Sequence, residues 1–226
     1  MSSDIYKREK ASVVPKLNRE ESQARTRSLL IEAARREIVK KGFATASIRD
    51  IAEAAGFSLG AIYSNFPDKE AILLELIQQH QSEERTRIEA NLARAQGDAA
   101  TAMAGIEAWA ETVNSDPDLG VLAIELQLHA LRSPAFAKIY NDMNRRHRRA
   151  LGTMITTLFE LFGKKVPGDP AEIATGLATL SRGLALSPPG SDDNRGGRIV
   201  LAFLKALIEA APSAEKAKKS RGKPSD

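Results

Sequence analysis

Residues 42–73 read GFATASIRDIAEAAGFSLGAIYSNFPDKEAIL, and two short helical patterns separated by a glycine lie inside them. Ser47 stands three positions before Asp50, the spacing of a capping box: the hydroxyl takes an orphan amide, and the carboxylate favours the positive helix end. A helix therefore starts near Ile48. Ile48, Ile51, Ala52 and Ala55 recur at helical spacing as one apolar stripe, about two turns long, until Gly56 turns the chain out. Ser58 is placed to cap a second helix running through Phe66. Pro67 has no amide to continue that helix and suits the first turn of a third, with Asp68 and Glu70 in the same turn.

The second helix is informative for what its outer face lacks. Leu59, Gly60, Ala61, Ser64 and Asn65 are small or uncharged, so backbone there could come close to base edges in a major groove. Ile62 and Phe66 turn inward, while Tyr63, Asn65 and Lys69 could offer a hydroxyl, an amide and a point charge to phosphates along one rim. Helix, tight turn and small-faced helix in this order read as a helix-turn-helix DNA reader. The other reading is an ordinary three-helix packing unit with Tyr63 and Phe66 in its core.

The segment from about Arg25 to Leu73 resembles the amino-terminal domain of the TetR family of transcriptional regulators. The resemblance rests on Gly42 and Phe43, the capped helix with Ile51 and Ala52, the pair Ala55 and Gly56, then Ser58, Gly60, Tyr63, Phe66 and Lys69. Carried over by position, it implies that Arg49, Leu59, Ala61 and Ser64 face bases, that Gly60 permits close approach, and that Ser47, Tyr63, Asn65 and Lys69 lie on phosphates. Two departures stand out. Glu37 and Ile38 replace the family's usual apolar residue and frequent phenylalanine in the first helix. Leu59 is aliphatic where many relatives carry a polar base reader, and would suit a thymine methyl.

The chain has 226 residues and 42% apolar content, ample for a buried core. It has no cysteine, which removes disulfide frameworks and thiolate sites and suits a reducing compartment. No apolar run approaches membrane-spanning length, and the opening MSSDIYKREK is no secretory signal, so the cytoplasm is the expected location and no membrane partner is expected. The net charge of +4 is concentrated at the ends: residues 1–66 carry +4, residues 67–211 carry −3 and residues 212–226 carry +3. Basic charge beside a reader suits phosphate neutralisation and steeply salt-dependent binding. Residues 1–22, with Lys7, Arg8, Lys10, Lys16 and Arg19, read as a basic disordered arm or as an extension into a minor groove. Residues 212–226 hold no large apolar residue and read as a disordered basic tail.

Everything between is helical by pattern, so the fold class is all-α: a helix-turn-helix domain over residues 23–73 and a larger helical ligand-binding and dimerisation domain over 74–211. A long helix is expected from Asp68 to about Ala95, then Ala99 to about Ser115, Leu119 to about Arg132, and a restart at Ser133-Pro134 running to about Phe162. Pro170 to about Leu186 and Arg198 to about Ala210 complete the series. Ile173, Leu177, Leu180 and Leu184 stripe the first of this last pair, and Val200, Phe203, Leu204 and Leu207 the second. The resemblance implies a two-fold dimer through this pair, and the stripes alone are equally compatible with intramolecular core. A dimer would let two short readers address two half-sites of a palindrome.

No nucleophile elbow, phosphate loop or metal-ligand spacing occurs, so no catalytic residue, cofactor or metal is expected; His80, His129 and His147 are isolated along the chain. A small-molecule pocket is expected around Met103, Trp109, Glu125, His129, Tyr140, Met143 and Met154, which combine adaptable apolar bulk with a few polar tips, although each could equally be core. The run Arg145, Arg146, Arg148 and Arg149 reads as a solvated face, with an anion or partner site as its alternative. The combined reading is a homodimeric regulator, expected to act as a repressor, that a small-molecule effector releases from a palindromic operator through movement of the Asp68–Ala95 helix. The rival readings are a DNA-binding protein without a ligand, and a small-molecule-binding helical domain with a degenerate reader.

Overall fold

The structure, a computed structural model, describes residues 18–113, 115–185 and 195–214. Nine α-helices and no strands occur among the described residues: α1 (Arg19–Lys41), α2 (Ile48–Ala55), α3 (Leu59–Tyr63), α4 (Lys69–Ala95), α5 (Ala99–Thr112), α6 (Pro117–Arg132), α7 (Pro134–Leu161), α8 (Pro170–Leu184) and α9 (Arg195–Ala210). Most starts are written locally. Asn18 and Glu21 form a reciprocal capping box on α1, Ser47 and Asp50 another on α2, and Ser58, Asp68, Asp98, Ser133 and Asp169 each accept an amide of the first turn that follows. Pro117, Pro134 and Pro170 occupy first-turn positions, where a missing amide costs nothing.

Two expectations about the ends are corrected. Ordered helix begins at Arg19, inside the stretch expected to be a disordered arm, because Asn18 and Glu21 satisfy each other's backbone amides at 2.8 Å; residues 1–17 lie outside the described residues. The expected tail is likewise ordered at its start. Lys165 donates to the Pro212 carbonyl and Ala214 donates to the Gly163 carbonyl, both at 2.9 Å, which ties residues 212–214 to the turn after α7. The rest of the tail is also outside the described residues.

The core has two centres. The first gathers Leu30, Ile31 and Ile38 of α1, Ile51 of α2 and Ile62 of α3 around Ile72 and Leu73 of α4, and continues into Leu122, Leu126, Phe136, Tyr140 and Met143 of α6 and α7. The boundary expected after Leu73 is therefore crossed by continuous packing. Ile38 is fully buried and Glu37 pairs with Lys41 at 2.6 Å, so both departures from the family pattern in α1 are accommodated by ordinary amphipathic placement. The second centre joins α5, α7, α8 and α9 through Ile106, Leu158, Phe159, Ala174, Leu204 and Ile208. Here α7 and α8 approach closely: a Cβ on Gly152 would lie 3.0 Å from the Ala171 backbone nitrogen, tight enough that any larger residue would push the start of α8 outward.

Candidate DNA-reading face and helical-domain cavity

The turn between α2 and α3 forms as its residues dictate. Gly56 takes the left-handed conformation at φ 72°, and its amide returns to the Ala52 and Glu53 carbonyls. The Ser58 hydroxyl oxygen accepts the Ala61 amide at 3.2 Å. α3 ends at Tyr63, three residues before the expected Phe66, because polar side chains compete with the helix. Ser64 Oγ and Asn65 Nδ2 both donate back to the Ala61 carbonyl, at 2.9 and 2.8 Å. Ile62 and Phe66 are buried as expected, and Tyr63 is 59% exposed rather than core.

The expected phosphate rim divides. Arg49 and Tyr63 are exposed and engage no partner within the described chain, and Ser58, Gly60 and Ser64 are also at the surface, with Leu59 and Ala61 half-buried beside them. Ser47, Asn65 and Lys69 do not stand free. Ser47 Oγ donates to Asp50 Oδ2 at 2.6 Å, and Asp50 is held well below the usual carboxylate range by the Ser47 hydroxyl and amide and by Lys41. The Asn65 amide folds onto α3, and its backbone carbonyl accepts Arg27. Lys69 Nζ turns inward onto the Phe43 carbonyl and, at 2.7 Å, the Ala46 carbonyl, and rests 4.3 Å from the Phe43 ring centre. Burial lowers its pKa.

Lys69 thus holds the loop between α1 and α2, with at most one proton left for a phosphate. Lys69→Ala is expected to cost about 1–3 kcal/mol of unfolding free energy, because two partly buried carbonyls lose their donor. An unchanged denaturant midpoint would show that the ammonium holds nothing.

Arg27, unmarked in the sequence, locks the other side of the reader. Its guanidinium stacks on Phe66 at 4.2 Å, donates to the Asn65 carbonyl and pairs with Glu75 on α4. The partners lie 38 and 48 residues away, so no local pattern could reveal them.

Five residues expected in a pocket stand elsewhere. Glu125 Oε2 accepts the Phe43 amide at 3.2 Å, and His129 Nε2 pairs with Glu70 while its ring sits 4.5 Å from that of Phe43 and 4.8 Å from that of Phe136. Tyr140 and Met143 belong to the first core centre and Met103 packs against the second. Glu125 and His129 therefore join the reader to α6. α6 has a second tether: Asp116, at its cap position, makes no cap hydrogen bond because its carboxylate takes Arg35 of α1 at 2.6 and 2.8 Å.

A cavity of about 280 Å³ does exist, and of the expected residues Trp109 and Met154 line it. Its lining comes from α4, α5, α6, α7, α8 and α9. Apolar walls from Ile106, Leu158 and Leu204 face a polar group that includes Gln81, Glu84, Asn144, His147, Arg148 and Arg182. Gln81 Nε2 donates to Asn144 Oδ1 at 3.2 Å, which satisfies two buried amides against each other. His147 is pushed down to about 4, first by burial and then by the positive charges of Arg85, Arg182, His80 and Arg148, so its ring is neutral near pH 7.

Two family models match parts of this chain, in the order of the architecture just described. "Bacterial regulatory proteins, tetR family" covers residues 30–76, and "BetI-type transcriptional repressor, C-terminal" covers residues 99–209. The chain belongs to the TetR family of transcriptional regulators. It is 28% identical over 183 residues to the HTH-type transcriptional regulator BetI of Agrobacterium fabrum, spanning 81% of this chain and 84% of BetI. It is 26% identical over 154 residues to the regulator YuxN of Bacillus subtilis, spanning 68% of this chain but only about half (52%) of YuxN. In fold it resembles Salmonella enterica GusR, with a TM-score of 0.66 over 82% of this chain and 96% of that one at 19% identity.

In this TetR-family chain the stripes expected at a dimer interface turn partly inward. Val200 and Leu204 are buried, and Ile173, Leu177 and Leu207 pack against the second core centre, so these five serve the chain's own interior. What remains outside is Phe203, 57% exposed on α9, with half-buried Leu180 and Leu184 on α8. On α8, Gly176 and Gly183 face open space, which leaves that helix surface accessible to close approach. No helix among the described residues is long and apolar enough to cross a membrane.

Proposed function

We propose that this chain is a homodimeric repressor that binds a palindromic operator through α2 and α3, and that a small molecule in the α4–α8 cavity releases it. One observation carries the reading: α4 spans both sites. Its first turn supplies Lys69 and Glu70 to the loop and α6 contacts of the reader, and its later turns supply Ile77, Gln81, Glu84 and Ile88 to the cavity wall. A ligand that prefers one position of this helix must bias the placement of the reader, since the same rigid element is fixed at both ends. Reader residues 23–73 and the effector and dimer region 74–211 are therefore functional units on a shared core. The protein acts in the cytoplasm by binding and coupling, without catalysis and without a cofactor.

The test is selection of bound sequences from a random duplex pool with the purified protein, followed by affinity for the winner at several salt concentrations. An enriched palindrome with a steep salt slope is expected; no enrichment would overturn the proposal. Dimerisation is expected through the outer face of α8 and α9. Phe203→Glu, which puts a charge on the one large exposed apolar side chain there, should convert the dimer to monomer in sedimentation and weaken operator binding strongly. A variant that stays dimeric would place the interface elsewhere.

A further inference from the structure

We infer that the cavity takes a small amphipathic anion, an apolar body carrying a carboxylate or similar head, with the head bound at Arg148, Arg182 and the Nε2–H of His147. This deepens the reading of the cavity as the effector site and rests on it.

The charge balance of the lining decides the sign. Arg87, Arg148 and Arg182 contribute three cations, against the carboxylates of Glu84 and Asp116. Asp116 is already committed to Arg35 at 2.6 Å, leaving Glu84 as the single uncommitted carboxylate. None of the three lining arginines has an ion-pair partner among the described residues. Arg85 adds a fourth positive group just behind the lining, with Nη1 3.3 Å from His147 Nδ1. A guanidinium can only donate, so Nδ1 is the acceptor and the ring proton sits on Nε2. Glu84 Oε2 lies 3.9 Å from that Nε2, beyond hydrogen-bond distance, so the donor remains available to a ligand. A cationic head would meet this cluster with one carboxylate to receive it, whereas an anionic head meets several donors lining one partly dehydrated cavity. The remaining lining, including Ile106, Trp109, Met154, Leu158 and Leu204, suits an aliphatic or aromatic body.

The arginine run on α7 is thereby divided by role. Arg145 pairs with Asp142 and Arg149 is exposed, while Arg148 turns to the cavity.

Trp109 is the only tryptophan of the chain and lies in the cavity wall, so its fluorescence reports occupancy directly. The full chain would be titrated, with calorimetry alongside, against three probes of one chain length: sodium octanoate, octyltrimethylammonium and 1-octanol. Octanoate is expected to shift the emission with a Kd about tenfold or more below that of octyltrimethylammonium. Arg182→Gln and, independently, Arg148→Gln should weaken octanoate about tenfold and leave 1-octanol unchanged. Arg149→Gln, which removes the same charge outside the cavity, should change neither. Equal or tighter binding of octyltrimethylammonium, or octanoate binding indifferent to both cavity arginines, would overturn the anionic assignment and leave the cavity reading standing. No fluorescence or heat signal with any of the three would overturn both.

Discussion

Gly60→Glu is expected to abolish operator binding, with a loss of more than about a hundredfold, while leaving the folded protein and its cavity intact. The fold should tolerate the change because a Cβ at position 60 meets nothing nearer than Ser58 Oγ at 3.7 Å, an ordinary contact. Glutamate is also the better helix former by roughly 0.5–1 kcal/mol, and the position is exposed. The DNA side should not tolerate it. Gly60 is the second residue of the short helix α3, beside Leu59 and Ala61 and just ahead of Ser64, so a long carboxylate there both fills the approach and sets a negative charge among phosphates. Opposed like charges at an interface cost several kcal/mol, and each 1.4 kcal/mol is tenfold in affinity. Anisotropy with the selected operator, beside thermal unfolding and octanoate titration of the same variant, checks both halves. Near-parental operator affinity would mean that α3 is not the reading helix.

The local half of this architecture was legible because its determinants are local. α2 begins and ends where Ser47, Asp50 and Gly56 place it, since the cap and the left-handed exit are decided by residues within one turn. α3 stops early for an equally local reason, the pull of Ser64 and Asn65 on the Ala61 carbonyl, but that competition cannot be judged from a periodic pattern. What the sequence could not give is which polar side chains are spoken for. Lys69 looks like a free rim charge until the Phe43 and Ala46 carbonyls, more than twenty residues earlier, are brought beneath it. Glu125 and His129, one turn apart on α6, resemble ligand contacts for the same reason, and are instead occupied by Phe43 and Glu70. Conversely, His80 and His147 look isolated along the chain, and the packing of α4 against α7 brings both to the cavity.

Those tertiary contacts also locate the device by which cavity and reader would communicate, and Phe136→Ala should disable it. Phe136 is fully buried in the first core centre, with its ring 4.8 Å from that of His129 and 5.8 Å from that of Tyr140. Removing a packed phenylalanine costs about 3–5 kcal/mol, much of a domain's usual margin of about 5–15 kcal/mol. The consequence for coupling follows from what Phe136 supports. Its ring backs His129, His129 holds Glu70 at the first turn of α4, and the same imidazole packs on Phe43, whose amide is fixed by Glu125. A cavity at position 136 frees the imidazole to move, so displacement of α4 by a ligand need no longer carry the reader with it. Phe136→Leu, which keeps most of the volume, separates the two effects: it should retain most of the stability yet lose the flat face on which His129 rests. Denaturant unfolding measures the first loss. Operator affinity with and without saturating octanoate measures the second, and a Phe136→Leu protein that releases DNA on ligand binding as fully as the parent would show that the signal travels by another route.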